Sequence, residues 1–278
     1  MKQNKDYFID THCHLNLLVK KDFDIPLTET QIHDAAPIIK QAEDAHVRII
    51  INIGTNIIES KNCIRLAQQY TNLFAVVGIY PTDLTEQWQN DFNEIKKLLR
   101  EKEQNKIVGI GEIGIDKYRP GYNLQRQIDG FRQQINLALE TDLPIVVHTR
   151  TAPEETLTIL QEFKNDLLRG VIHCYPYDKQ WADEAIKLHF KLGIGGAITY
   201  PSNKTLPAIV KELSLDHIVL ETDAPFLPPQ PIRGQQNSPA QLPLTAQFIA
   251  ELKHISLSEV AKKTTANAIK LFSLSAHS

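Results

Sequence analysis

Eight short apolar runs, each followed by a stretch of helical periodicity, constrain the fold of this 278-residue chain more than any other feature. Strands are expected at residues 8–10, 47–53, 74–79, 107–111, 144–148, 170–173, 191–194 and 217–220. Runs such as VRIIINI and PIVVH are continuous and rich in β-branched residues, which suits parallel strands covered on both faces. Between the runs, Ile128, Phe131, Ile135 and Leu139 recur in steps of three and four, one face of a helix. Leu157, Leu160 and Leu167 mark another helix, and Ser256 with Glu259 stands at capping-box spacing before a third. Eight strand–helix units predict an α/β chain, a (β/α)8 TIM barrel formed as a single domain over residues 1–278. An open doubly wound sheet is the alternative, weakened because no Gly-x-Gly-x-x-Gly follows the first strand. Residues 224–244, rich in Pro, Gln and Asn, read as a long loop over the barrel mouth.

Hydrophobic residues make up 42% and charged residues 23%, ordinary globular values that exclude a disordered or coiled-coil chain. A formal charge of -3 excludes a non-specific nucleic-acid coat, which needs a strongly basic surface, but permits a local basic patch. Three cysteines far apart favour a reducing, cytoplasmic setting over a disulfide framework. The opening MKQNKDYFID carries no apolar leader core, and nowhere do about 18 apolar residues run together, so neither a signal peptide nor a membrane span is expected.

The strongest local signal is Asp10-Thr11-His12-Cys13-His14, directly after an apolar run. Alternate residues of a strand face one side, so His12 and His14 point together while Cys13 points into packing. Neutral imidazoles two residues apart suit a shared metal ion. Taken alone, His-x-His is better read as two surface histidines near a turn. The other strand ends change the balance: Glu112 in GIGEIGID, His148 ending PIVVH, His173 ending GVIH and Asp223 ending IVLETD. In a barrel, catalytic groups collect at the C-terminal strand ends. One such residue is commonly a helix cap. Six metal-capable groups at five strand ends are not, because buried nitrogens and carboxylates cost free energy unless paired or metal-bound.

In this order and spacing, HCH, GEIGID, VVHTR, VIHCY and LETDAPFL resemble the TatD-type DNases of the amidohydrolase superfamily. The resemblance runs from residue 8 to residue 272 and takes in GIYPTD, RGQQNSP and TTANAIKLF. It implies a barrel with a metal centre at the C-terminal mouth and metal-dependent hydrolysis of DNA phosphodiesters. It also implies two divalent ions, Mg, Mn or Zn: His12, His14 and Asp223 would bind one, His148 and His173 the other, with Glu112 bridging. Asp223 is the candidate to orient the attacking water and take its proton, or is a ligand alone. Glu112, as the bridge, belongs with it in the catalytic set.

Arg150 follows His148 by two, so alternation aims it at the same mouth, where a guanidinium suits phosphate. Arg233 lies in the mouth loop. Tyr118 and Arg119 follow the GEIGID strand and suit base stacking and phosphate contact; an ordinary solvated surface is the competing reading for all four. Asp116 and Asp10 are candidates to orient ligating histidines, or else merely cap turns. Cys174 should alternate away from the metal, and Cys63 should be core.

Three positions depart from the family pattern: Tyr80 where His is usual, Thr151 where an acid is usual, and Ser238 where Glu is usual. None is an expected ligand; all bear on substrate choice and loop anchoring. The expected substrate is therefore single-stranded DNA or exposed DNA ends, with no membrane and no obligate protein partner. Another amidohydrolase-type reaction on a small ester, lactone or amide is the alternative, as is a metal-binding interaction module that has lost its chemistry.

Overall fold

The computed structural model describes residues 6–20 and 22–274; the stretch read for a leader falls partly outside them. The strands are β1 (Phe8–Cys13), β2 (Val47–Ile53), β3 (Leu73–Val77), β4 (Ile107–Asp116), β5 (Ile145–Arg150), β6 (Gly170–Ile172), β7 (Phe190–Ile194) and β8 (Ile218–Leu220). The helices are α1 (Leu15–Lys20), α2 (Glu29–His33), α3 (Ala35–Asp44), α4 (Ile57–Gln69), α5 (Trp88–Leu99), α6 (Leu124–Thr141), α7 (Pro153–Glu162), α8 (Lys179–Lys187), α9 (Thr205–Glu212), α10 (Leu242–Lys253) and α11 (Leu257–Phe272).

The eight strands form one sheet in sequence order, with every neighbouring pair parallel. The chain beyond β8 closes the ring on β1. The Asp223 N–H donates to the His12 carbonyl at 2.8 Å, the His14 N–H donates to the Ala224 carbonyl at 2.8 Å, and Cys13 bridges Ala224 in parallel. The fold is a (β/α)8 barrel.

Two apolar layers explain why the strand sequences run continuously. In β2, Ile49, Ile51 and Ile53 turn inward and join Ile9, Val76, Val146, Val171 and Val219 in the barrel interior. Ile50, between them, faces outward into the larger cluster beneath the helices. The interior cluster also takes Ala268, Leu271 and Phe272 of α11, so the end of that helix closes the barrel floor. Polar residues are left to occupy the opposite, C-terminal end.

Phe131 and Ile135 of α6 are fully buried, with Ile128 and Leu139 half-buried beside them. The Ser256 hydroxyl accepts from the Glu259 N–H at 3.1 Å and caps α11. One helix reading needs correction. Leu157 and Leu160 lie on α7, but that helix ends at Glu162, and Leu167 is 88% exposed in the following turn. The loop over the mouth is interrupted by short 3-10 turns at Gln230–Ile232 and Pro239–Gln241, and α10 begins at Leu242.

Gly193 in β7 makes room for a buried acid: a Cβ there would stand 2.2 Å from Glu221 Oε2. Gly193→Ala is expected to displace Glu221 and lower stability by about 1–3 kcal/mol, the usual cost of overpacking a rigid interior. Denaturant unfolding checks this; an unchanged midpoint would mean that the Glu221 side chain has room to move.

Candidate metal centre

The mouth gathers six side chains from five places in the chain. His12 comes from β1 and His14 from the residue after it. Glu112 comes from β4, His148 from β5, His173 from the residue after β6, and Asp223 from the turn after β8. Five of the six are buried and His148 nearly so.

Two expectations about placement change. Glu112 was expected where its strand ends, but β4 continues to Asp116. The register against β5 shifts between Ile110 and Ile113, and such a bulge re-aims a side chain. Glu112 therefore points into the mouth from within the strand. Close packing here needs Gly114, whose φ is +140° and whose Cβ would lie 1.9 Å from the His148 carbonyl. Cys174 does not alternate away from the site. Regular pairing stops at Ile172, and Cys174 takes a left-handed φ of 44°. Its thiol thus lies with ligand atoms of His173 and Asp223, all within 4.8 Å of one another. Burial pushes this thiol's pKa up, so it is not a ready nucleophile.

The decisive geometry is at Glu112. Its Oε2 lies 3.4 Å from His12 Nε2 and 3.9 Å from His14 Nε2. Its Oε1 lies 2.9 Å from His148 Nδ1 and 3.8 Å from His173 Nε2. One carboxylate thus presents one oxygen to each pair of imidazoles. Asp223 Oδ1 joins the first pair, 3.5 Å from His14 Nε2 and 3.7 Å from His12 Nε2. Asp223 has φ 55°, and its backbone bond to His12 holds that turn against β1.

The donor set fits divalent cations. His12 Nε2 and His14 Nε2 face each other at 3.3 Å with two carboxylates beside them. His12, His14 and Asp223 offer ligand atoms within 4.8 Å of one another, as do His12, Glu112 and His173. Two of the four outward ring nitrogens have partners that fix the ring and free the inward nitrogen. His14 Nδ1 lies 3.1 Å from the Ile53 carbonyl. His148 Nε2 lies 3.3 Å from Asp116 Oδ2 and 2.9 Å from the Tyr80 hydroxyl. His173 Nδ1 is 3.2 Å from Glu221 Oε1, off the hydrogen-bonding direction, and His12 Nδ1 has no partner among the described residues.

Electrostatics keep the carboxylates ionised. Burial opposes charge on Glu112, but His173, His12 and His148 outweigh it and hold its pKa well below the usual value. Asp223 is likewise lowered: burial opposes its charge, and the bond from His14 together with His173 and His12 prevails. Burial and the neighbouring His173 lower the His12 pKa, favouring the neutral ring that a metal requires.

Asp116 lies where both of its expected roles place it, beside the His148 ring and capping a turn. It touches His148 and accepts from the Tyr118 N–H at 2.8 Å; despite burial, its pKa falls to about 2. Asp10 does not orient a ring. It accepts from the Thr222 N–H at 3.0 Å, the Thr222 hydroxyl at 2.6 Å and the His12 backbone N–H, tying β1 to the turn before Asp223. Burial raises its pKa to about 7. Sequence reasoning gave no role to Glu221, which receives the Cys174 N–H at 2.6 Å, or to the Tyr80–His148 contact. Cys63 is buried core, as expected.

A cleft of about 440 Å³ opens above these groups, walled by Tyr80, Arg119, Arg150, Pro176 and Phe226 among others. Arg150 reaches it, its guanidinium 3.6 Å from the centroid of the exposed Tyr118 ring. Arg233 does not line it; that guanidinium lies 4.0 Å over the Tyr200 ring. Thr151, beside Arg150, is exposed, and the Ser238 N–H donates to Asn237 Oδ1 at 2.9 Å. Asn237 in turn donates to the Thr222 and Phe226 carbonyls, so the mouth loop is anchored without a carboxylate at Ser238.

The family model described as TatD related DNase matches residues 9–273. The chain belongs to this family. An uncharacterized metal-dependent hydrolase of Bacillus subtilis is 34% identical to this TatD-family chain over 265 residues, 95% of this chain and 98% of that one. A protein of Erwinia amylovora named 3'-5' ssDNA/RNA exonuclease TatD is 32% identical over 260 residues, 91% of this chain and 99% of that one. Among solved structures, the TatD homolog YjjV of Escherichia coli superposes with a TM-score of 0.86 at 28% identity, covering 96% of this chain and 98% of that one. The chain is a TatD-family metal-dependent hydrolase, and no helix among its described residues is long and apolar enough to cross a membrane.

Proposed function

We propose that this hydrolase cleaves phosphodiester bonds of DNA, in single strands or at exposed ends, with two divalent ions held on either side of Glu112. The carrying observation is the division of the Glu112 oxygens between His12/His14 and His148/His173. When bound, such ions supply Lewis acidity toward a phosphoryl oxygen and make hydroxide available near neutral pH. Four imidazoles with two carboxylates favour Zn or Mn over Mg.

Within this reading, His12, His14 and Asp223 would hold one ion, and His148 and His173 the other. The Asp223 side chain, 12% exposed, lines the cleft beside His12 and His14, where it would orient the attacking water and take its proton. Arg150 neutralises a phosphate beside the centre, and the Tyr118 ring beneath it offers a stacking face. Arg233 on Tyr200 meets the chain further out along the mouth. A cleft of this size takes an extruded or terminal nucleotide and excludes an intact duplex. The name of the Erwinia relative, a 3'-5' ssDNA/RNA exonuclease, agrees with that substrate.

The test is turnover by metal-supplemented protein on labelled single-stranded DNA, blunt duplex, and a panel of small esters, lactones and amides. Hydrolysis of single-stranded DNA well above the rest is expected; efficient turnover confined to small substrates would overturn the reading.

Tyr80 supplies a related prediction. Its hydroxyl donates to Asp116 Oδ2 at 3.1 Å and contacts His148 Nε2, so it fixes the imidazole that faces Glu112 through Nδ1. Tyr80→Phe is expected to weaken the ion assigned to His148 and His173 by about 10–100-fold, the usual cost of removing an outer partner of a ligating histidine. Competitive metal titration checks this; unchanged affinity would leave Asp116 as the sole anchor of His148.

A further inference from the structure

A second hollow, of about 580 Å³, opens between the loop after β3 and the loop after β4. Arg119 lines both this hollow and the metal cleft, so the two share a wall. Arg119 is exposed in the loop between β4 and α6 and makes no hydrogen bond or ion pair among the described residues. Arg126, in the first turn of α6, faces the same space, where its guanidinium donates to the Leu84 carbonyl at 3.3 Å. Glu86 is the one carboxylate among the lining residues. It sits 3.7 Å from Arg126 with its side chain 90% exposed, a rim pair that salt and a competing anion readily displace. The hollow thus carries two guanidiniums and one loosely held lining acid, with the half-buried Asp83 carboxylate also within the field of Arg119. Its outer wall includes Tyr122, a large aromatic left 43% exposed.

We propose that this hollow is a further nucleotide subsite, which takes the continuation of a single-stranded polynucleotide whose scissile phosphate lies at the metal centre. Arg119 meets the phosphate that passes from one hollow to the other. Arg126 takes the next phosphate, exchanging its rim partner Glu86 for it, and Tyr122 offers its ring to a base. Alternating guanidiniums and an aromatic face are the chemistry that grips a single strand without reading its sequence. The subsite rests on the phosphodiesterase reading above and extends it from one reacting nucleotide to a chain of several.

The experiment measures kcat/KM of metal-supplemented protein on single-stranded oligonucleotides of two, four and eight nucleotides, for the natural chain, Arg126→Gln and Tyr122→Ala. The natural chain is expected to favour the octanucleotide over the dinucleotide by about tenfold or more, the scale of one stacked base. Each variant should shrink that ratio several-fold through KM on the octanucleotide, with little change in kcat and an unaltered melting temperature. Measuring two variants guards against one of them folding poorly. Equal kcat/KM at all lengths in the natural chain, or a length advantage kept in both variants, overturns the subsite while leaving the phosphodiesterase reading in place. Absence of hydrolysis at every length overturns both.

Discussion

Replacing Glu112 by glutamine will lower metal-supported turnover by roughly 10³-fold or more, about 4 kcal/mol of transition-state stabilisation. The substitution keeps the side chain's size. It removes the one charge shared by His12 and His14 on one side and by His148 and His173 on the other. A neutral amide has one oxygen to offer, and its NH2 group would face a cation or an imidazole on the other side. Both ions should weaken together, whereas loss of a ligand from one side should weaken mainly one. Metal-binding isotherms alongside turnover check this. Near-normal turnover with both sites filled would show that no bridging charge is needed.

Asp223→Asn is expected to lower single-turnover cleavage by roughly 10²-fold or more at saturating metal and DNA, the scale of lost general-base catalysis. The burial and left-handed turn at this position stay the same, because asparagine tolerates that conformation. His12, His14 and Glu112 remain for the first ion, and His148 and His173 are untouched, so metal loss should be partial. A fully metallated variant that cleaves at the natural rate would remove Asp223 from the chemistry. Full recovery at high metal would make it a ligand alone.

The elements that sequence reading located best are those whose two faces are both buried. In β2, inward Ile49, Ile51 and Ile53 and outward Ile50 together give an unbroken apolar run, and the expected and observed bounds coincide. His12 and His14 meet as two-residue spacing led one to expect, their Nε2 atoms 3.3 Å apart, although the register of β1 against β2 shifts between Asp10 and Cys13. Elsewhere departures from regular pairing moved a residue from its expected place. The bulge near Ile110 lengthened β4 past Glu112, and the left-handed turn after Ile172 brought Cys174 back to the site. Of the two roles open to Asp10, orienting a ring fails and capping its own turn at the His12 N–H holds; its other partners, the Thr222 N–H and hydroxyl, lie 212 residues away across the barrel closure. The Tyr80–His148 contact spans 68 residues, and Glu221 reaches Cys174 across 47. No local pattern announces such pairs; they exist only once the ring is closed. Arg233 was placed on the correct loop, but its seat over Tyr200 depends on how that loop folds back toward β7.

Metal-free protein titrated with Mn, with bound ion and single-turnover cleavage of single-stranded DNA measured on the same samples, tests the central claim most directly. Cleavage should be absent without metal and should rise chiefly as the second equivalent binds, while circular dichroism stays constant because the apolar barrel interior is independent of the ions. Full cleavage by the metal-free protein, or by protein holding a single equivalent, would contradict a centre in which Glu112 joins two ions.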